Sequence, residues 1–225
     1  MSDDDRPVIT EVKALACAPL GDAAVAELLS LAAALPVDDD DFDDVDDVAE
    51  AERGWAFTDL VCDAVATAHR HVLYSDGNPL GDATVPSHLV FGELYPFLEE
   101  CRDDEKWLTG LVGDWAEQPG WELVADPSVR RCEELLTEAA RTVEERLGAP
   151  LRVVLDDGRA SLGPDLPFRI WRHGAQAVLL GAVSDNGPYG YLTHLVLSTA
   201  PWPPEAALPD DEDGVRQWII GRVDW

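Results

Sequence analysis

The sequence predicts an α+β fold in which a helical N-terminal half packs on a C-terminal antiparallel meander sheet preceded by a long helix. Three observations predict it. Apolar residues recur at helical spacing through much of residues 22–147, short apolar runs separated by turn residues follow Leu151, and 46% of the 225 residues are hydrophobic, enough to bury a core. Residues 1–225 read as one domain, with a helical subregion at 1–127 that holds an acidic, mobile segment at 37–52, and a helix-plus-sheet subregion at 128–225.

From Asp22 to Leu35, the residues Val25, Leu28, Leu29, Leu31 and Leu35 fall at helical spacings, with Asp22 placed to cap the first turn and Pro36 beyond the end. Ala56–Tyr74 repeats apolar residues at Phe57, Leu60, Val61, Ala64, Val65, Ala68 and Val72, predicting a second amphipathic helix that stops before Ser75-Asp76-Gly77-Asn78-Pro79. Ser87 to Gln118 reads as one or two further helices interrupted near Pro96, with Trp107, Leu111 and Trp115 on one stripe. A short strand is expected at Trp121–Val124. Ser128 to Leu147 carries the clearest helical pattern, with Cys132, Leu135, Leu136, Ala139 and Val143 on one side and Gly148 and Pro150 as stop signals.

The β period then takes over. Leu151–Leu155 followed by Asp157-Gly158 predicts a hairpin with a short partner through Leu162. Phe168–His173, Ala177–Val183 and Tyr189–Ser198 complete the meander, the last two joined by Asp185-Asn186-Gly187-Pro188. The middle run, AVLLGAV, is apolar on both faces and predicts the most buried strand, covered by helices on at least one side. The terminal VRQWIIGRVDW reads as a last helix or strand.

Charge bounds the function. Sixteen Lys and Arg against 45 Asp and Glu give a formal net charge of −29, which disfavours nucleic acid and anionic membranes as ligands. The balance is uneven: residues 1–127 hold 30 acids and 6 bases, a balance of −24, whereas residues 128–225 hold 15 acids and 10 bases, a balance of −5. The start lacks a positive n-region followed by an apolar run, and no stretch approaches a membrane span, so a cytoplasmic protein is expected. The four cysteines, Cys17, Cys62, Cys101 and Cys132, have no CxxC spacing and read as free thiols.

The motifs of common chemistries are missing from the string. Neither GxGxxG nor a P-loop occurs, and Gly158-Arg-Ala-Ser161-Leu-Gly163 has one residue too many for a nucleophile elbow. His69, His71 and Asp76 form a weak metal candidate, because residues two apart on a helix point away from each other. Asp39, Asp41, Asp43 and Glu50 match four offsets of a calcium loop, but Asp44 stands where the turn needs Gly and Asp46 where a hydrophobe belongs. His173 and His194 lie on strand candidates and read as core histidines before they read as general bases. No cofactor is implied.

What remains is an acidic protein-binding module that captures or neutralises a basic protein. Its expected contacts are Asp38, Asp39, Asp40, Asp41, Asp43, Asp44, Asp46 and Asp47, with Trp202 and Trp218 as exposed aromatic anchors. Immunity proteins against nuclease toxins, acidic inhibitors and secretion chaperones use that strategy, and the likeness is one of general character. The alternatives are a metal-dependent enzyme with an unlisted site and an acidic domain whose charge serves solubility.

Overall fold

The computed structural model describes residues 9–31, 55–58, 60, 64–75, 85–156, 160–161, 163–184 and 191–223. Ten strands among them form one sheet, and every pairing is antiparallel. In chain order they are β1 (Val12–Cys17), β2 (Ala56–Thr58), β3 (Ala64–Ala66), β4 (Val72–Ser75), β5 (Ser87–Pro96), β6 (Glu122–Leu123), β7 (Arg152–Leu155), β8 (Pro167–His173), β9 (Gln176–Ser184) and β10 (Thr193–Pro201). Four α-helices accompany them: α1 (Asp22–Leu31), α2 (Glu105–Ala116), α3 (Val129–Leu147) and α4 (Glu212–Val223).

The sheet runs β2-β3-β4-β5-β10-β9-β8-β7. On the side of β5 away from β10, two strands share its length: β4 pairs with Ser87 to Val90, and β1 pairs with Gly92 to Pro96. β6 extends β1 outward.

Nearly every residue of β5, β9 and β10 is buried, so both faces of these strands need an apolar cover. One face packs on α1 and α3 through Val25, Leu28, Leu136 and Val143. The other packs on α2 and α4 through Leu108, Val112, Val215 and Ile219. The result is three layers, helix on sheet on helix.

α3 starts where Ser128 accepts a hydrogen bond from the Arg131 amide at 3.3 Å and stops at Gly148, whose φ of 77° suits glycine. It is tied to α1 by an Arg146–Asp22 ion pair and by the Thr142 hydroxyl donating to the Leu20 carbonyl at 3.2 Å. α4 closes over the end of the sheet, where the rings of Trp202 and Trp218 meet edge-on at 5.0 Å.

The expectation of a helical first half is overturned, since residues 12–123 contribute six strands. Where Ala56–Tyr74 was expected as a helix, the described residues form β2, β3 and β4. The chain turns at Thr67–His71, with Arg70 at φ 70° and the Thr67 amide donating to the His71 carbonyl at 2.7 Å. A left-handed residue there ends any helix, and the β-branched Val65 and Val72 suit the short strands on either side. Ser87–Pro96 is likewise a strand and not a helix. Its sequence shows no apolar–polar alternation because both of its faces are covered.

In α2 the expected stripe is rotated, with Leu108, Val112 and Trp115 buried and Trp107 49% exposed. β7 pairs with β8, Arg152 opposite Ile170, whereas Asp157, Gly158 and Leu162 of the expected hairpin fall outside the described residues. The meander β7 to β10, the long helix α3 and the strand at β6 follow the sequence reading, and the terminal segment takes the helical one of its two expected forms.

Gly181 stands opposite Phe168, and a Cβ there would lie 2.4 Å from the Phe168 ring. Gly181→Ala should therefore lower unfolding free energy by about 1–3 kcal/mol, the usual cost of overpacking. Urea unfolding checks this; an unchanged midpoint would show that the ring has room to move.

Candidate functional site

The chemistry-bearing residues that the fold gathers lie between the sheet and α2. Glu93 of β5 and His194 of β10 are direct cross-strand partners, and both are 0% exposed. His194 Nδ1 is in hydrogen-bond contact with Glu93 Oε2. Further along the same two strands His88 faces Ser198, with His88 Nδ1 and Ser198 Oγ joined by a 2.8 Å hydrogen bond. Tyr74, opposite His88 on β4, stacks on that ring at 5.0 Å and meets His194 at 5.7 Å. Trp115 of α2 caps His194 edge-on at 5.5 Å and leans on Trp121 at 4.9 Å.

A backbone irregularity makes this constellation. His88 and Glu93 are five residues apart, an odd spacing that sends two side chains of a regular strand to opposite faces. The β5–β10 register slips between Leu195 and Val196, which face Gly92 and Val90, so Phe91 is an extra residue. This bulge reverses the alternation. Phe91 and Leu94 therefore point to the α1–α3 side, whereas Val90 and Tyr95 point to the α2–α4 side. Glu93 arrives beside His194. Gly92 sits at the bulge because a Cβ there would meet the Leu195 side chain at 2.8 Å.

A carboxylate taken fully out of water costs several kcal/mol unless a donor faces it. His194 Nδ1 faces it across the ladder. His88 has a different setting. Burial holds its ring neutral and pushes its pKa down to about 3, with the neighbouring His194 pushing the same way. Every member of the cluster is buried, so in this conformation it meets no solvent-borne substrate.

Of the candidate site residues read from the sequence, His194 belongs to this cluster. Asp38 to Asp47, Asp76, Cys62 and Trp225 fall outside the described residues. His69 and His71 are on the β3–β4 turn and not on a helix. His71 is buried with Nε2 3.2 Å from the Pro19 carbonyl oxygen, and exposed His69 lies 4.0 Å from Glu27. Among the described residues no group of three or more His, Cys, Asp or Glu is arranged to hold a metal.

Trp202 is buried at 2% and not exposed. Arg172 lies over its ring, and Arg222 lies over Trp218. His173 ends β8 on the surface, and Ser161 donates to buried Asp156 at 3.5 Å. Cys17, Cys101 and Cys132 are buried and form no disulfide, and burial pushes the Cys132 thiol up to about 12.

Sequence reasoning missed Glu93 and His88 as members of one cluster, because only the bulge puts them on one face. It also missed Trp107 as a surface residue. No helix among the described residues is long and apolar enough to cross a membrane. No protein-family model, curated protein or solved structure matches this chain.

The depressed His88 pKa fixes the sign of a pH effect. As pH falls, the unfolded chain takes up this proton first, so the contribution of the neutral ring is complete above about pH 6.5 and is lost toward pH 3. The slope from one such group is at most about 1.4 kcal/mol per pH unit. His88→Gln removes it. The stability gap between the native protein and this variant should thus shrink from pH 7 to pH 4 in urea titrations; a gap independent of pH contradicts the assignment.

Proposed function

We propose that the protein is an acidic capture module, which binds a basic protein to neutralise it or hold it for delivery, in the manner of an immunity protein, inhibitor or chaperone. The observation that carries the reading is the charge asymmetry: 30 acids against 6 bases in residues 1–127, with eight aspartates between Asp38 and Asp47. Such a surface accelerates encounter with a basic partner and discriminates against acidic ones.

The described surface adds an anchor. On α2 the exposed Trp107 shares its side of the helix with exposed Asp114, two turns on, and exposed Asp103 lies in the 3-10 turn Glu99–Asp104 that leads into the helix. An aromatic side chain set among carboxylates suits a partner that presents Lys or Arg beside an apolar patch. Trp107 takes the role that the sequence had assigned to Trp202 and Trp218.

The test is capture from the native lysate at low and high salt, followed by two variants. Replacing Asp38 to Asp47 with Ser and Asn should weaken binding and flatten its salt dependence. Trp107→Ala should weaken it by about 30-fold, the effect of losing a contact worth about 2 kcal/mol. A partner that binds both variants as tightly as the native protein, at either salt concentration, contradicts the reading.

A further inference from the structure

The sheet ends at β7, and that ending is apolar. Leu151, Val153 and Leu155 occupy alternate positions and are 60%, 52% and 52% exposed, whereas Val154, facing the other way, is buried. Val153 shares a face with its cross-strand partner Arg169 on β8, on the side where α3 covers β8 and β9.

The backbone at this edge is closed at both ends and open in the middle. The Asp156 amide donates to the Leu166 carbonyl, which puts the ladder bonds at the even-numbered residues and turns the Val153 N–H and C=O outward. The Leu151 amide turns inward to the Ile170 carbonyl, and the Leu155 carbonyl accepts from Arg216 Nε at 3.1 Å. Open hydrogen-bonding capacity on this edge is thus centred on Val153.

We propose that β7 is a homodimer interface in which two copies pair antiparallel about a two-fold axis at Val153. The run Leu151-Arg-Val-Val-Leu155 is self-complementary under that operation. Val153 meets Val153 of the second copy through two backbone hydrogen bonds, and each Leu151 packs against Leu155 of the other copy on the same face.

Charge selects a second copy as the occupant. Two chains of −29 repel least where they meet away from unpaired acids: β7 and β8 carry three arginines and no Asp or Glu, and Glu212 and Asp213, which Arg216 brings to the Leu155 end, are paired with that arginine. Two of the three are engaged on the opposite face, Arg152 with the Asp210 carbonyl at 3.4 Å and Arg172 with the Pro203 carbonyl at 2.7 Å. The third, Arg169, is attracted by Glu144 of α3, so the strip's own face is close to neutral.

The interface is small, so dissociation constants on the order of 10 μM are expected. The proposal has an electrostatic signature independent of the capture reading. Salt screens the repulsion between the acidic remainders and leaves the apolar strip intact, so dimerisation tightens with salt, whereas binding of a basic partner weakens.

Sedimentation equilibrium of the full chain, from about 1 μM to about 0.5 mM at about 0.05 and 0.5 M salt, tests it. The expected result is a monomer–dimer equilibrium that shifts toward dimer at high salt. Val153→Lys should weaken it at least about tenfold with unchanged circular dichroism. Val153→Cys should cross-link to itself under mild oxidation, since the cysteines among the described residues are buried. A monomer throughout the range, a dimer that loosens with salt, a dimer indifferent to Val153→Lys, or one that Val153→Cys fails to cross-link would each overturn the proposal.

Discussion

A carboxylate with no exposed surface, in the middle of the longest strand, constrains the rest of this structure. Glu93 lies at the centre of a three-layer fold, where water cannot reach it and no Lys or Arg is its cross-strand partner. Its neighbour across the ladder is His194. That pairing needs the Phe91 bulge to turn Glu93 to the α2 side, and it needs Trp115 to close the space above the imidazole. The bulge needs glycine next to it, and the closed roof in turn holds α2 against β1 and β5.

The parts of the fold that were legible in the sequence are those whose burial is one-sided. α3 shows its apolar face at Cys132, Leu135, Leu136, Ala139 and Val143 and keeps charges on the other, so its period is plain. The hairpins from β8 to β10 are short, dense in apolar residues and bounded by turns, which marks them as strands. β5 defeats the same reasoning. Ser-His-Leu-Val-Phe-Gly-Glu-Leu-Tyr has no alternation, because helices cover both faces and a bulge breaks the period. β2 to β4 were misread for a related reason: three- and four-residue strands give too few positions for a period of two to show.

The candidate site was hidden by the same geometry. His88 and Glu93 are odd-spaced and read as opposed, and His194 read as a lone core histidine until its cross-strand partner was known. In α2 the misreading is a rotation by one residue. Trp107, Leu111 and Trp115 satisfy a four-residue step, but the helix buries Leu108, Val112 and Trp115, and so presents a tryptophan to solvent. The exposure of Trp107 follows from the position of that buried face. Charge is legible throughout, because it depends on composition and not on contacts, and it is concentrated in residues 1–127.

A double-mutant cycle at the buried pair tests the central account most directly. Glu93→Leu and His194→Leu are measured alone and together by chemical unfolding. If the two residues compensate each other, either single change costs about 3–5 kcal/mol, and the double variant is more stable than at least one of the singles. Additive losses, with the double variant least stable of all, would contradict the claim that the bulge exists to bring these two side chains together.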